Sequence, residues 1–171
     1  MPTGECPFKE IAIDFVGELR ESEGFNAILV VTDQFTKVQH YIPAKTTWTA
    51  EDVSDSYIND IWKLCGLPRH ITSQRGPQFV SKFLKELYRK LNINLRLSTA
   101  YHPQTDGLSE QAVQTLKQYL PIYCHHIQNR WRAWLPVAEF VYNTTATTTH
   151  KLSTYRSLYG FDPCTMHLDN N

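Results

Sequence analysis

No apolar run in these 171 residues approaches the roughly 18–20 that a bilayer-crossing helix needs, so a helical membrane span and a membrane partner are excluded. Neither sign of charge is in excess, since seventeen Lys and Arg balance seventeen Asp and Glu. Affinity for phosphate backbones comes mainly from surplus Lys and Arg, so this chain alone is expected to hold nucleic acid weakly and to need flanking domains. Cysteine is sparse: Cys6, Cys65, Cys124 and Cys164 lie far apart with no CxxC spacing. That excludes a disulfide framework or zinc cluster and favours a reducing compartment. His125 and His126 follow Cys124, but adjacent helical residues point in different directions and make no metal site. The first ten residues, MPTGECPFKE, have no basic segment leading into an apolar one. The chain is therefore expected to work inside the cell, in the nucleus or elsewhere, and not to be secreted.

What is present is an ordinary globular composition, 42% hydrophobic and 20% charged, enough for one compact core. Ile11, Ile13 and Phe15 alternate with Ala12, Asp14 and Val16, the period of two that makes a strand. A turn over residues 21–26 leads to a second strand over 27–31, and a turn over 33–37 to a third over 38–43. Thr49 is the expected N-cap of a helix with Glu51 and Asp52 in its first turn. Its buried face is Val53, Tyr57, Ile58, Ile61 and Trp62, and Gly66 with Pro68 ends it. A short strand over 70–73 feeds a turn over 74–77. Ser81 is then read as the cap of a helix burying Phe83, Leu84, Leu87, Tyr88 and Leu91, with a fifth strand over 93–98.

A loop, YHPQTDG at 101–107, runs into a helix opening at Ser109 with Val113, Leu116 and Leu120 on its apolar side until Pro121. A further helix over about 131–143 is expected to bury Trp131, Trp134, Leu135, Ala138, Val141 and Tyr142, and a short last helix ends at Gly160. Strands and helices in this order predict an α/β fold with a mixed five-stranded sheet.

Three positions carry chemistry. Asp14 lies mid-strand among apolar residues, where a carboxylate is costly unless compensated. Glu110 lies in the first turn of a helix, and 35 residues separate it from position 74 at the end of the fourth strand. Two-metal phosphoryl transfer needs hard carboxylate oxygens converging from rigid elements such as these.

The segments VVTDQFTK at 30–37, GLP at 66–68, RGPQF at 75–79, YHPQTDG at 101–107, WLP at 134–136, EFVYN at 139–143 and LYG at 158–160 complete a pattern with Asp14-Phe15 and Glu110. In these residues the chain resembles the catalytic core of a retroelement integrase, and is most similar to those of Ty3/gypsy-type retrotransposons. The resemblance covers nearly all of residues 1–171 as one core domain, with an ordered part of about 8–162. It implies a ribonuclease-H-like fold, a five-stranded sheet flanked by helices, and a D,D-35-E triad holding two Mg2+ or Mn2+ ions. It also implies partners: element-end and target DNA, with RNA as a second candidate, and a second copy met through core helices. The family's N-terminal zinc domain and C-terminal DNA-binding domain are not among these residues. Carried over by position, Asp14 is the first acid, position 74 the second and Glu110 the third. Nucleic acid is expected against Arg75, Tyr101, His102, Gln104 and Lys117, the plainer alternatives being a solvated Lys117 and a loop that Tyr101, His102 and Gln104 only pin. Lys117 follows Glu110 by seven residues, hence two turns along the same face. Tyr101, His102 and Gln104 can clamp a strand end by stacking and hydrogen bonds.

The departure is at the second acid. Where the family reads Ser-Asp-Arg-Gly, this chain reads Ser73-Gln74-Arg75-Gly76. Gln is neutral and one methylene longer, so its carbonyl cannot supply the charge that hard divalent ions require. One ion at most is then expected to be held well, by Asp14 and Glu110, and activity to fall roughly 100- to 1000-fold. Val113, Pro121 and the run Ser153-Thr-Tyr155 also replace the family's usual Asn, Arg and Ser-Pro-Phe. The alternatives are a domesticated, non-catalytic module that binds nucleic acid or protein, and a decaying relic. Asp33 is read as a turn cap, Asp106 as a shaper of its loop, and Lys82, Lys85 and Arg89 as the wet side of a helix.

Overall fold

The computed structural model describes residues 6–93, 130–146 and 151–164. Three strands, β1 (Glu10–Val16), β2 (Ala27–Asp33) and β3 (Gln39–Ala44), form the antiparallel meander, and β4 (His70–Thr72) joins parallel to β1. The order is β3-β2-β1-β4, so Asp14 stands on an inner strand of a mixed sheet. Residues 94–98 of the expected fifth strand lie outside the described residues.

The pleat sends alternate side chains to opposite faces. Ile11, Ile13, Leu29, Val31 and Ile42 face one core, which is closed by α1 (Ala50–Tyr57) and α3 (Pro77–Lys90) through Val53, Tyr57, Val80, Phe83 and Leu87. Val16, Ile28, Val30 and Tyr41 face a second core, closed by Trp131 and Leu135 of α4 (Trp131–Thr144). Because both faces are covered, β2 is buried at every position, as its continuous apolar run requires. The last helix, α5 (Thr154–Tyr159), ends at Gly160 with φ of 82°, a left-handed cap that glycine adopts without strain. Among the described residues, no helix is long and apolar enough to cross a membrane.

Three readings of the sequence need correction. The helix after Thr49 does not run through uniformly. A π turn (Ile58–Trp62) follows α1 and leads into a short α2 (Lys63–Cys65). The extra residue per turn slips the apolar phase, so Ile61 stays buried while Trp62 is 40% exposed. The next helix starts at Pro77, with Gly76 as N-cap, and not at Ser81. Proline suits the first helical position, where its missing N–H would have no partner. Finally, Trp134 points largely to solvent at 39% exposure, leaving Trp131 and Leu135 to fill the second core.

Local polar chemistry behaves as read. The buried Asp33 carboxylate accepts from the N–H groups of Phe8 (2.9 Å) and Thr36 (2.9 Å) and from the Thr36 hydroxyl (2.5 Å), which closes the β2–β3 turn. Thr49 forms a capping box: its hydroxyl accepts from the Asp52 N–H (3.4 Å), while the Asp52 carboxylate accepts from the Thr49 N–H (2.7 Å). The Thr49 N–H, and next the Thr49 hydroxyl, which donates to Asp52 Oδ2 at 2.8 Å and is lost in alanine, hold the Asp52 carboxyl below its ordinary value of 3.8. A depressed folded-state acid stabilises above its unfolded pKa and ceases to do so as the pH falls through the lowered value. Thr49→Ala should therefore cost about 1 kcal/mol in urea unfolding at pH 7, with a smaller difference from wild type at pH 3.

Burial pushes the Cys65 thiol up to about 12, whereas Cys6 and Cys164 are exposed and, with Cys65, unbridged. Since the thiolate is the nucleophile, iodoacetamide at pH 7.5 should label Cys6 and Cys164 of the native protein and leave Cys65 unlabelled until denaturant is added. Peptide mass mapping would read this directly.

Candidate functional site

Parallel pairing sets the first two corners side by side. Ala12 pairs with Thr72 in the β1–β4 register, and two residues further on the chain reaches Asp14 within β1 and position 74 in the turn just past the end of β4. Here the Gln74 backbone N–H donates to Asp14 Oδ1 at 2.9 Å. Asp14 is 3% exposed, and a carboxylate that deep needs such a donor to offset its lost hydration. The Gln74 residue itself is exposed.

A tight turn presents position 74. The Gly76 N–H donates to the Ser73 carbonyl at 3.1 Å, and the Arg75 N–H to the Ser73 hydroxyl at 3.2 Å. Gly76 has φ of 85°, a left-handed conformation that hands the chain straight to Pro77 and α3.

Arg75 was expected at nucleic acid, and the structure gives its guanidinium protein partners. Its Cζ lies 3.7 Å from the Phe15 ring centroid and 5.3 Å from that of Phe79. Nη1 donates to the Trp48 carbonyl at 2.8 Å and Nη2 to the Thr46 carbonyl at 3.4 Å. Burial lowers its pKa. Sequence reading missed this sandwich, although Phe15 next to Asp14 and Phe79 four residues after Arg75 were the available signals.

Lys82, Lys85 and Arg89 are exposed along α3, as the amphipathic pattern requires. Arg89 is engaged by Glu86 at 2.8 Å and Glu51 at 3.5 Å. Glu110, Tyr101, His102, Gln104 and Lys117, together with Asp106, lie outside the described residues. The structure thus joins Asp14 to position 74 and describes no third corner. Among the described residues, no group of three or more His, Cys, Asp or Glu could hold a metal ion. As a donor set, Asp14 supplies the hard anionic oxygen that Mg2+ or Mn2+ takes, and position 74 supplies only a neutral amide oxygen.

A second polar cluster ties α4 to the open side of β3. Asn143 Oδ1 accepts from the Gln39 N–H at 3.0 Å, and Asn143 Nδ2 donates to the Gln39 carbonyl at 2.8 Å. One helical turn earlier, Glu139 Oε2 accepts from the Tyr41 N–H at 2.8 Å, and Oε1 lies 3.0 Å from His40 Nδ1. This explains the EFVYN segment physically: residues i and i+4 on one helix face match strand residues i and i+2.

Comparison with known proteins points one way. The family described as "Integrase core domain" matches residues 4–103. The Transposon Tf2-3 and Tf2-4 polyproteins of Schizosaccharomyces pombe are 27% identical over 169 residues, 99% of this chain. The chain spans only 13% of the length of these curated relatives. Among solved structures, the dimeric HTLV-2 integrase catalytic core in complex with magnesium aligns with a TM-score of 0.65 at 18% identity, covering 91% of this chain and 99% of that one. The simian T-cell lymphotropic virus intasome in complex with the PP2A regulatory subunit B56 gamma aligns with a TM-score of 0.69 at 20% identity, covering 91% of this chain and 56% of that one. At these identities the structural likeness establishes the fold.

Proposed function

This chain belongs to the integrase core family and has its ribonuclease-H-like fold, and from that premise we propose that it is the core of a Ty3/gypsy-type DNA-integrating protein whose strand transfer is impaired at position 74. The observation that carries the reading is the 2.9 Å bond from the Gln74 N–H to Asp14 Oδ1. The turn that bears the family's second acid is in place beside the first acid, with an uncharged side chain on it.

In this reading Asp14 and Glu110 hold a divalent cation, Mg2+ or Mn2+, which when bound neutralises developing charge and activates the attacking oxygen. The Gln74 N–H orients Asp14 and keeps one of its oxygens fixed. The Gln74 side chain offers a carbonyl oxygen without charge, so the electrostatic complement of the site is one unit short. Tyr101, His102, Gln104 and Lys117 contact the DNA end, and the neutral chain relies on flanking domains for affinity. The partners are element-end and target DNA, with RNA as a second nucleic acid, and a second copy through the core helices; the place of action is the nucleus or elsewhere inside the cell.

The test compares wild type with Gln74→Asp, flanking domains restored, for joining labelled element ends to target DNA with Mn2+. Recovery in the variant alone supports the reading, and equal joining by both proteins refutes it. Gln74 also favours a second reading, a non-catalytic nucleic-acid-binding module. It requires binding that survives Glu110→Gln and no gain of joining in Gln74→Asp.

A further inference from the structure

We propose that Arg75 is a positioning residue that clamps the position-74 turn against Asp14, and that its guanidinium serves this clamp in place of a phosphate contact. The inference rests on the reading of Asp14 and position 74 as two corners of one metal site.

Three segments converge on this one side chain. Phe15 comes from β1, adjacent to Asp14, and Phe79 from the first turn of α3. The Thr46 and Trp48 carbonyls come from the loop that leads into α1. The two rings meet edge to face, with centroids 6.4 Å apart at 81°, and the guanidinium lies 3.7 Å from the Phe15 centroid. Stacking and forked donation to two carbonyls from one planar group is chemistry that a lysine ammonium cannot reproduce. Nη1 and Nη2 each donate inward, to the Trp48 and Thr46 carbonyls, so two of the five N–H groups are committed to the protein while the residue as a whole stays exposed.

The clamp acts on the bond that matters. Arg75 is the residue after Gln74, so fixing its side chain to β1, α3 and the Thr46–Trp48 loop fixes the backbone whose N–H reaches Asp14 at 2.9 Å. The Ser73–Gly76 turn contributes only a 3.1 Å backbone bond and the Ser73 hydroxyl contact of its own. Position 74 is therefore held by its neighbour and not by its own side chain. The framework for a second acid persists whether Asp or Gln occupies it.

The decisive measurement is amide hydrogen exchange of the 15N-labelled chain, for wild type, Arg75→Lys and Arg75→Leu. Exchange of the Gln74 N–H should rise about tenfold or more in both variants, while Ile13 and Val30 in the β1–β2 ladder keep their wild-type rates. Unchanged exchange at Gln74 would overturn the proposal, and so would equal loosening of Ile13 and Val30, which would mark a general structural role. A fall of about one in the salt slope of low-salt DNA binding by Arg75→Leu would also overturn it, as the signature of a phosphate contact.

In the Gln74→Asp background, Mn2+ affinity read by electron paramagnetic resonance should drop roughly 10- to 100-fold on adding Arg75→Lys. A Gln74→Asp chain that binds no Mn2+ would refute the metal site, and the exchange rates would still decide the role of Arg75.

Discussion

Gln74→Asp is expected to raise strand transfer roughly 100- to 1000-fold over wild type, the size of effect that one well-placed electrostatic group commonly has. The gain requires no rebuilding of the backbone, because the Gln74 N–H already meets Asp14 at 2.9 Å and Gly76 already adopts the conformation the turn needs. What changes is one charge and one methylene. Asp14→Asn added to the variant should remove the gain, since the remaining acids would then lose their partner.

A second signature needs no DNA. Without metal, a new carboxylate beside the buried Asp14 places like charges together and should lower the melting temperature of the Gln74→Asp chain. Saturating Mn2+ should reverse this, with about 2.7 kcal/mol of stabilisation at 100 times its dissociation constant. Differential scanning fluorimetry with and without Mn2+ separates this behaviour from that of wild type, whose single ion on Asp14 and Glu110 should give a smaller shift at the same Mn2+ concentration. A variant that joins DNA no better and gains nothing from Mn2+ would remove position 74 from the site.

The largest expected loss of stability is at Asn143. Asn143→Leu removes both the acceptor for the Gln39 N–H and the donor to the Gln39 carbonyl, and the Thr154 hydroxyl loses Oδ1 at 3.2 Å. Asn143 is 6% exposed, so water cannot replace these bonds without opening the β3–α4 contact. Two buried backbone groups left unpaired at about 1–3 kcal/mol each predict a loss of roughly 3–5 kcal/mol. For a domain of this size that is a fall of about 10 °C in melting temperature. An unchanged urea midpoint would show that Gln39 finds other partners. Glu139→Gln should cost less, because the amide carbonyl can still accept from the Tyr41 N–H.

The features legible in the sequence were local ones. Thr49 with Asp52, the bonds of Asp33 to Thr36 and Gly160 at the end of α5 depend on neighbours within four residues and appear as read. The Phe8 N–H that also meets Asp33 had no local signal. The pairing of Asp14 with position 74 was legible only through the family pattern, because strand register across 60 residues has no local signal. Where the reading failed, longer-range forces decided. The π turn at Ile58–Trp62 is a phase slip that an apolar count over 3.6 residues cannot register. The EFVYN segment showed as a motif without a reason until Asn143 was found bonded to Gln39, 104 residues away in sequence. The protein partners of Arg75, a residue expected at nucleic acid, were likewise not legible, because strand and loop neighbours such as Phe15 and the Thr46 and Trp48 carbonyls are distant in sequence. Ser81 has the side chain of a cap, but Pro77, four residues earlier, is the stronger start signal and sets the first turn of α3.

Among the described residues β3 is a border strand of the sheet, and its outer side has a consequence for how copies of this protein can meet. A border strand normally offers a row of open amides onto which a foreign strand can zip, and this is how sheets extend into aggregates. On β3 the outward positions by alternation are 39, 41 and 43. The first two amides are taken by Asn143 and Glu139, and the third belongs to Pro43, which has none. The border is sealed by a helix and a proline. Crowding of this protein should produce assemblies built on side-chain surfaces and no ribbon grown from that flank.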